Sequence, residues 1–113
     1  MTILTSLDNK SLKQIGYSKE VKKIVLEQAK LANKANLDAI VCSPNEVNLV
    51  KKVFKKEIIT PGIRFSKSAD DQNRVMSPKD AILKGANYIV VGRPITNAPN
   101  ISLALQEIYN SIE

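Results

Sequence analysis

Along the chain, short apolar runs alternate with longer stretches in which apolar residues recur every three or four positions. The first pattern predicts strands covered on both faces, and the second predicts helices with one buried stripe. Residues 2–7 read as the first strand. Residues 18–36 read as a helix, with Ser18 as N-cap and Val21, Ile24, Val25, Ala29, Ala32 and Ala35 along one side. Residues 37–42 read as the second strand. Ser43-Pro44-Asn45-Glu46 then opens another helix, with a serine cap, a proline at the first helical position and a carboxylate three residues after the cap. Val47, Val50, Val53 and Phe54 supply its apolar face. Residues 57–63 read as a third strand, and Ser77-Pro78-Lys79-Asp80 repeats the helix-start signal, ending near Gly85. Residues 88–92 read as a fourth strand. The closing helix spans 100–112, with Ile101, Leu105, Ile108 and Ile112 as its stripe.

Alternating strands and helices imply the α/β class, with parallel strands joined by right-handed crossovers. A (β/α)8 barrel takes about 250 residues. Four βα units in 113 residues therefore predict half of a TIM barrel, as one domain over residues 1–113. A small open α/β sandwich is the alternative. Both architectures place functional groups beyond the C-terminal ends of the strands.

Composition narrows the chemistry. Five aromatics (three Tyr, two Phe) and no Trp leave the core to Ile, Val, Leu and Ala. The absence of histidine excludes His-based triads, and a zinc site is not expected without it. Cys42 sits in the apolar run Ile40-Val41-Cys42 and reads as a small core residue. No run approaches the roughly 20 apolar residues of a membrane span, and no leader or lipidation box is visible, so a cytoplasmic protein is expected.

The net charge of +6 raises the question of nucleic acid. The basic residues are mostly lysines on predicted helices, such as Lys22, Lys23, Lys51 and Lys52, and no nucleic-acid module accompanies them. They read as a solvated helix face. The arginines are different: Arg64, Arg74 and Arg93 all lie in the second half, and two stand at predicted strand ends.

Those two ends are Thr60-Pro61-Gly62-Ile63-Arg64 and Gly92-Arg93-Pro94. A glycine lets main-chain N–H groups approach an anion, and an arginine beside it offers a planar fork of donors. The pairing points to a bound phosphate. Between them, residues 65–74 are polar apart from Phe65 and Ala69, and read as a loop that closes over a ligand. Arg74 is expected to pair with Asp70 or Asp71 inside that loop, and Asp8-Asn9-Lys10 reads as a turn with solvated charges.

Ile-Thr-Pro-Gly-Ile-Arg at 59–64, Asp-Asp-Gln-Asn-Arg at 70–74, Ser-Pro at 77–78, Gly-Ala-Asn-Tyr-Ile-Val-Val-Gly-Arg-Pro-Ile at 85–95 and Leu-Thr-Ser at 4–6 resemble the orotidine 5′-phosphate decarboxylase family. The resemblance is collinear, covers essentially the whole chain and corresponds to strands five to eight of that family's barrel. It implies conversion of orotidine 5′-monophosphate to UMP and CO2, in pyrimidine biosynthesis, with no cofactor and no metal. It also implies roles for single residues. Arg93 and the backbone of Gly92 would grip the phosphate, Gln72 would fold over it, and Arg64 would start the loop and position the ligand. Thr5 would contact the nucleotide, and Pro61 would lie near the pyrimidine.

The family's reaction rests on an alternating Asp/Lys constellation on early strands, with an Asp-x-Lys-x-x-Asp motif and one aspartate from the partner subunit. Residues 1–113 contain no counterpart, so no catalytic residue is assigned here and the chain alone is expected to be inactive. The expected ligands are an OMP- or UMP-like nucleotide or inorganic phosphate, with neither nucleic acid nor membrane. A non-catalytic phosphate-binding module, a remnant, and one subunit of a split enzyme are the alternatives, as is a relative acting on sugar phosphates. Half a barrel leaves open edges and an uncovered inner face, so the expected partner is a second copy or a complementary N-terminal half.

Overall fold

The computed structural model describes residues 1–65 and 74–113. Its framework is a three-stranded parallel sheet: β1 (Ala39–Val41), β2 (Glu57–Thr60) and β3 (Tyr88–Ile89), in spatial order β1-β2-β3. Among the described residues six helices accompany it: α1 (Asn9–Gln14), α2 (Val21–Lys34), α3 (Val47–Lys51), α4 (Pro78–Lys84), α5 (Arg93–Thr96) and α6 (Ile101–Ile112). A 3₁₀ turn at Pro44–Glu46 leads into α3. The α/β class with parallel strands is as the sequence predicts.

The register pairs Ile40 with Ile58, and Val41 with Ile59, which pairs onward with Tyr88. Residues paired in this way share a face of the sheet. Ile40, Cys42 and Ile58 are buried against Val25 and Ala29 of α2 and Val47 and Val50 of α3, with Phe54 closing the cluster. The opposite face carries Val41, Ile59 and Tyr88, with Val90 beyond the strand; Tyr88 and Val90 are each 53% exposed. The molecule measures 42 × 32 × 17 Å, and its thin dimension fits one helix layer on one sheet. No helix among the described residues is long and apolar enough to cross a membrane.

Several local expectations change. Residues 2–7 form no strand; Thr2 instead donates from its backbone N (2.9 Å) and its Oγ1 (3.0 Å) to the Val41 carbonyl, and the chain then turns away. A strand needs a ladder on at least one side, and here pairing stops after Thr2. The helix predicted from Ser18 begins at Val21, and its N-cap residue Glu20 makes no side-chain cap bond. The Asn9 side chain accepts the Val21 N–H at 2.8 Å instead, so the cap comes from a neighbouring element. Asp8 is not a solvated turn residue, because its carboxylate caps α1 by accepting from the Ser11 backbone and hydroxyl, both at 2.8 Å. Those bonds hold the Asp8 carboxyl below its ordinary pKa.

The Ser77 signal stands as read. Ser77 Oγ accepts from Asp80 N and donates to the Asp80 carboxylate, and Gly85 ends α4 at φ 109°, a left-handed conformation open to glycine. The third and fourth strands are shorter than predicted. Pro61 has no N–H to extend a ladder, and Gly62 at φ 77° turns the chain out of the sheet.

Candidate functional site

Parallel strands deliver their C-terminal ends to one edge of the sheet, and four loops meet there. They are residues 3–5, the Ser43–Glu46 turn after β1, the Pro61–Arg64 segment after β2, and the chain that returns at Arg74–Met76. Gly62 accounts for the closest approach. A Cβ built on it would overlap the Thr5 methyl, and would lie 3.2 Å from Thr5 Cβ and 3.3 Å from the Arg74 carbonyl. Thr5 is buried against this turn.

A short ladder ties the turn to the returning chain. Met76 N donates to Gly62 O (3.2 Å), and Arg64 N donates to Met76 O (3.0 Å). Arg74 N donates to Thr5 O (3.2 Å), which brings the third loop in. Arg64 is buried, and its Nη1 donates to the Ile63 carbonyl at 2.8 Å.

Arg74 is the centre of this arrangement, in a role the sequence reading missed. Among the described residues its carboxylate partner is Glu46; Asp70 and Asp71, the partners expected from the sequence, lie outside the described residues. Nη1 pairs with the Glu46 carboxylate, while Nη2 donates to the carbonyls of Ile3 (3.1 Å) and Leu4 (2.6 Å). Glu46 is 3% exposed, and a carboxylate that deep demands a cation. Burial pushes its pKa up, opposed by the Arg74 charge and by hydrogen bonds from Ser43 and Arg74. A signal did exist: Glu46, Val50 and Phe54 recur every four residues, so Glu46 falls on the apolar stripe.

The remaining sequence-predicted residues are placed as follows. Pro61 is half-buried between Thr60 and the Gly62 turn. Gly92 and Arg93 follow β3 at the same edge of the sheet; Gly92 O accepts from Ile95 N (2.9 Å) and Thr96 N (3.0 Å), and Arg93 begins α5. Gly92 is exposed, and a Cβ there would meet open space among the described residues. Gln72 lies outside the described residues, as does most of the loop expected to close over a ligand. Cys42 is fully buried and its thiol is pushed up to about 12, first by loss of solvation and then by the Glu46 charge. That agrees with a core role. A cavity of about 340 Å³ opens beside the Glu46–Arg74 pair, lined also by Asp8, Asn9, Lys22 and Asn45; among the described residues, neither Gly92 nor Arg93 borders it.

Comparison with known proteins gives this geometry a family. The profile of the Orotidine 5'-phosphate decarboxylase / HUMPS family matches residues 1–108. Orotidine 5'-phosphate decarboxylase of Nitrosococcus oceani is 46% identical over 115 residues, covering 99% of this chain and 50% of that protein. The Wolbachia pipientis protein of the same name is 44% identical over 114 residues, with the same coverage. Among solved structures, orotidine 5'-phosphate decarboxylase from Lactobacillus acidophilus superposes with a TM-score of 0.74 at 29% identity, covering 97% of this chain and 47% of that one. The chain spans about half the length of the curated relatives it matches. It belongs to the orotidine 5′-phosphate decarboxylase / HUMPS family.

Proposed function

We propose that this chain is the C-terminal half of an orotidine 5′-phosphate decarboxylase barrel, carrying the phosphate-binding end of the site without the Asp/Lys constellation that drives loss of CO2. The observation that supports this reading is that the Pro61–Arg64 and Gly92-Arg93 segments follow the parallel strands β2 and β3 at the same edge of the sheet, with Thr5 packed on Gly62. That is where barrel enzymes bind phosphate. Arg93 is assigned to the phosphate dianion through charge-assisted, bidentate bonds, with the Gly92 main chain beside it and Gln72 as the covering residue. Thr5, Pro61 and Arg64 are assigned to the rest of the nucleotide.

Decarboxylation in this site class needs a lysine and carboxylates preorganised around the reacting carbon. The nearest string, Asp8-Asn9-Lys10, begins α1, and its aspartate is committed to the helix cap. The chain by itself is therefore assigned binding and not turnover. A partner covers the face of Val41, Ile59, Tyr88 and Val90: a complementary half, which brings the missing groups, or a second copy, which completes the fold without completing the chemistry.

Two measurements test this. Calorimetric titration with UMP and with inorganic phosphate is expected to give salt-sensitive binding that Arg93→Ala abolishes; no binding, or binding unchanged by the substitution, overturns the assignment. Mixing the chain with the complementary half of the Nitrosococcus oceani relative is expected to restore conversion of orotidine 5′-monophosphate to UMP. Ligand binding without turnover at any ratio favours a non-catalytic phosphate-binding module.

A further inference from the structure

The buried ion pair lies at the junction of the loops assigned to the ligand, the Gly92-Arg93 one apart, and each of them bonds to Arg74 or, two residues on, to Met76. Arg74 is the first residue after the segment assigned to cover the phosphate. Its guanidinium reaches Glu46 on one side and the Ile3 and Leu4 carbonyls on the other, while its main-chain N–H holds Thr5. Two residues further on, Met76 is laddered to Gly62 and Arg64. The Arg74 side chain thus ties residues 3–4 to the Ser43–Glu46 turn, and the backbone of Arg74 and Met76 adds Thr5 and the Gly62–Arg64 turn to the same junction.

The physical chemistry argues against stability as its purpose. A buried ion pair loses in desolvation much of what it gains in attraction, and an apolar pair of the same size often serves a core better. Here the pairing is also incomplete: among the described residues, Glu46 Oε2 and Arg74 Nε have no hydrogen-bond partner. What a guanidinium offers that an apolar group cannot is fixed, directional bonds to several acceptors at once.

We propose that Glu46 and Arg74 are positioning residues for the anion site: the pair sets the spacing between Thr5 and the Gly62–Arg64 turn before ligand arrives. Neither residue touches the ligand. Glu46 orients Arg74, and Arg74 orients the loops. The inference rests on the preceding reading for the identity of the ligand, but its geometric half stands on the contacts above.

The test compares the wild type with Arg74→Lys and Glu46→Gln. Lysine keeps the charge that neutralises Glu46 but has no fork to bridge the carboxylate and two carbonyls. Glutamine keeps the shape and removes the charge. Residue-resolved amide hydrogen exchange is read at Arg64, Arg74 and Met76, each bonded across the junction, and at Ile58, whose N–H is held by Asn87 Oδ1 at 2.9 Å in the sheet. Affinity for inorganic phosphate is measured in parallel. Both variants are expected to speed exchange at the junction amides by a larger factor than at Ile58. Phosphate affinity is expected to fall by about tenfold or more, the scale seen when a partner behind a binding group is removed. Full rescue by lysine shows that only charge neutralisation matters and overturns the proposal. Exchange rising uniformly, Ile58 included, shows a merely structural role and overturns it as well, as does unchanged junction exchange. If the wild type binds neither phosphate nor UMP, the functional reading has failed, and the exchange pattern alone still decides whether the pair sets the geometry of the junction.

Discussion

The Thr5 methyl occupies the space in front of Gly62 that any side chain at position 62 would need. The two residues come from segments far apart in sequence, and their contact sets the distance between the first loop and the turn after β2. Gly62 is constrained twice, by this approach and by its φ of 77°. An alanine there pays for a left-handed backbone and displaces a buried threonine. Gly62→Ala is therefore expected to lower unfolding free energy by about 2–5 kcal/mol, summing typical costs of backbone strain and overpacking. Chemical denaturation checks it, with Gly92→Ala, where a Cβ meets open space, expected to fold normally.

Removing the cation from the junction strands a carboxylate 3% exposed. Arg74→Met is expected to cost about 3–5 kcal/mol, as for other buried pairs broken from one side. The double variant Arg74→Met with Glu46→Leu is expected to recover most of that loss, because no charge is then left buried. A double-mutant cycle by denaturant titration measures the coupling.

Glu46 also makes stability depend on pH. Its carboxyl is raised above the ordinary 4.5, with burial as the largest cause. The folded chain therefore holds this proton more tightly than the unfolded chain does. The contribution is fully present below 4.5, declines as pH rises through the raised folded value, and is gone above it. Relative to Glu46→Gln, the wild type is expected to lose stability as pH climbs through that window. Unfolding curves of both proteins at closely spaced pH values read it directly, and a difference independent of pH contradicts the assignment.

Cys42 is fully buried, with its thiol pushed up to about 12. Against an ordinary 9.0, the thiolate fraction near neutral pH is lower by about a thousandfold. Labelling by a thiol reagent is expected to be slow in the native protein and fast in denaturant. Rapid native labelling of Cys42 would show that the core opens locally.

The uncovered sheet face predicts association. Tyr88 and Val90 are each half exposed on the same apolar face as Ile59 and Val41. Sedimentation at micromolar concentration is expected to show a dimer or larger species. Val90→Lys, which places a charge on that face while leaving the buried cluster around Val25 and Phe54 alone, is expected to shift the population toward monomer. A wild-type protein that stays monomeric throughout contradicts the proposal.

How much of this was legible beforehand varies by element. The Ser43-Pro44 and Ser77-Pro78 starts, the glycine stop at Gly85 and the closing helix follow from local rules, because a cap needs only the next turn of its own chain. The segment at 2–7 failed as a strand because strandness belongs to the pair and not to the segment. The start of α2 failed for a similar reason, its orphan N–H being met by Asn9 from another helix.

The site divides along the same line. Periodicity and turn chemistry, written within a few residues, determined by themselves the α/β class and the parallel order, and the glycine–arginine motifs marked Gly62-Ile63-Arg64 and Gly92-Arg93, whereas Thr5 and Pro61 were singled out only by the family resemblance. The partnership of Glu46 with Arg74, the seat of Thr5 on Gly62 and the ladder from Gly62 to Met76 were decided only when the chain folded. The physical reason is burial: a charge chooses its counter-charge by what is near once water is gone, and nearness in space is not encoded in spacing along the chain.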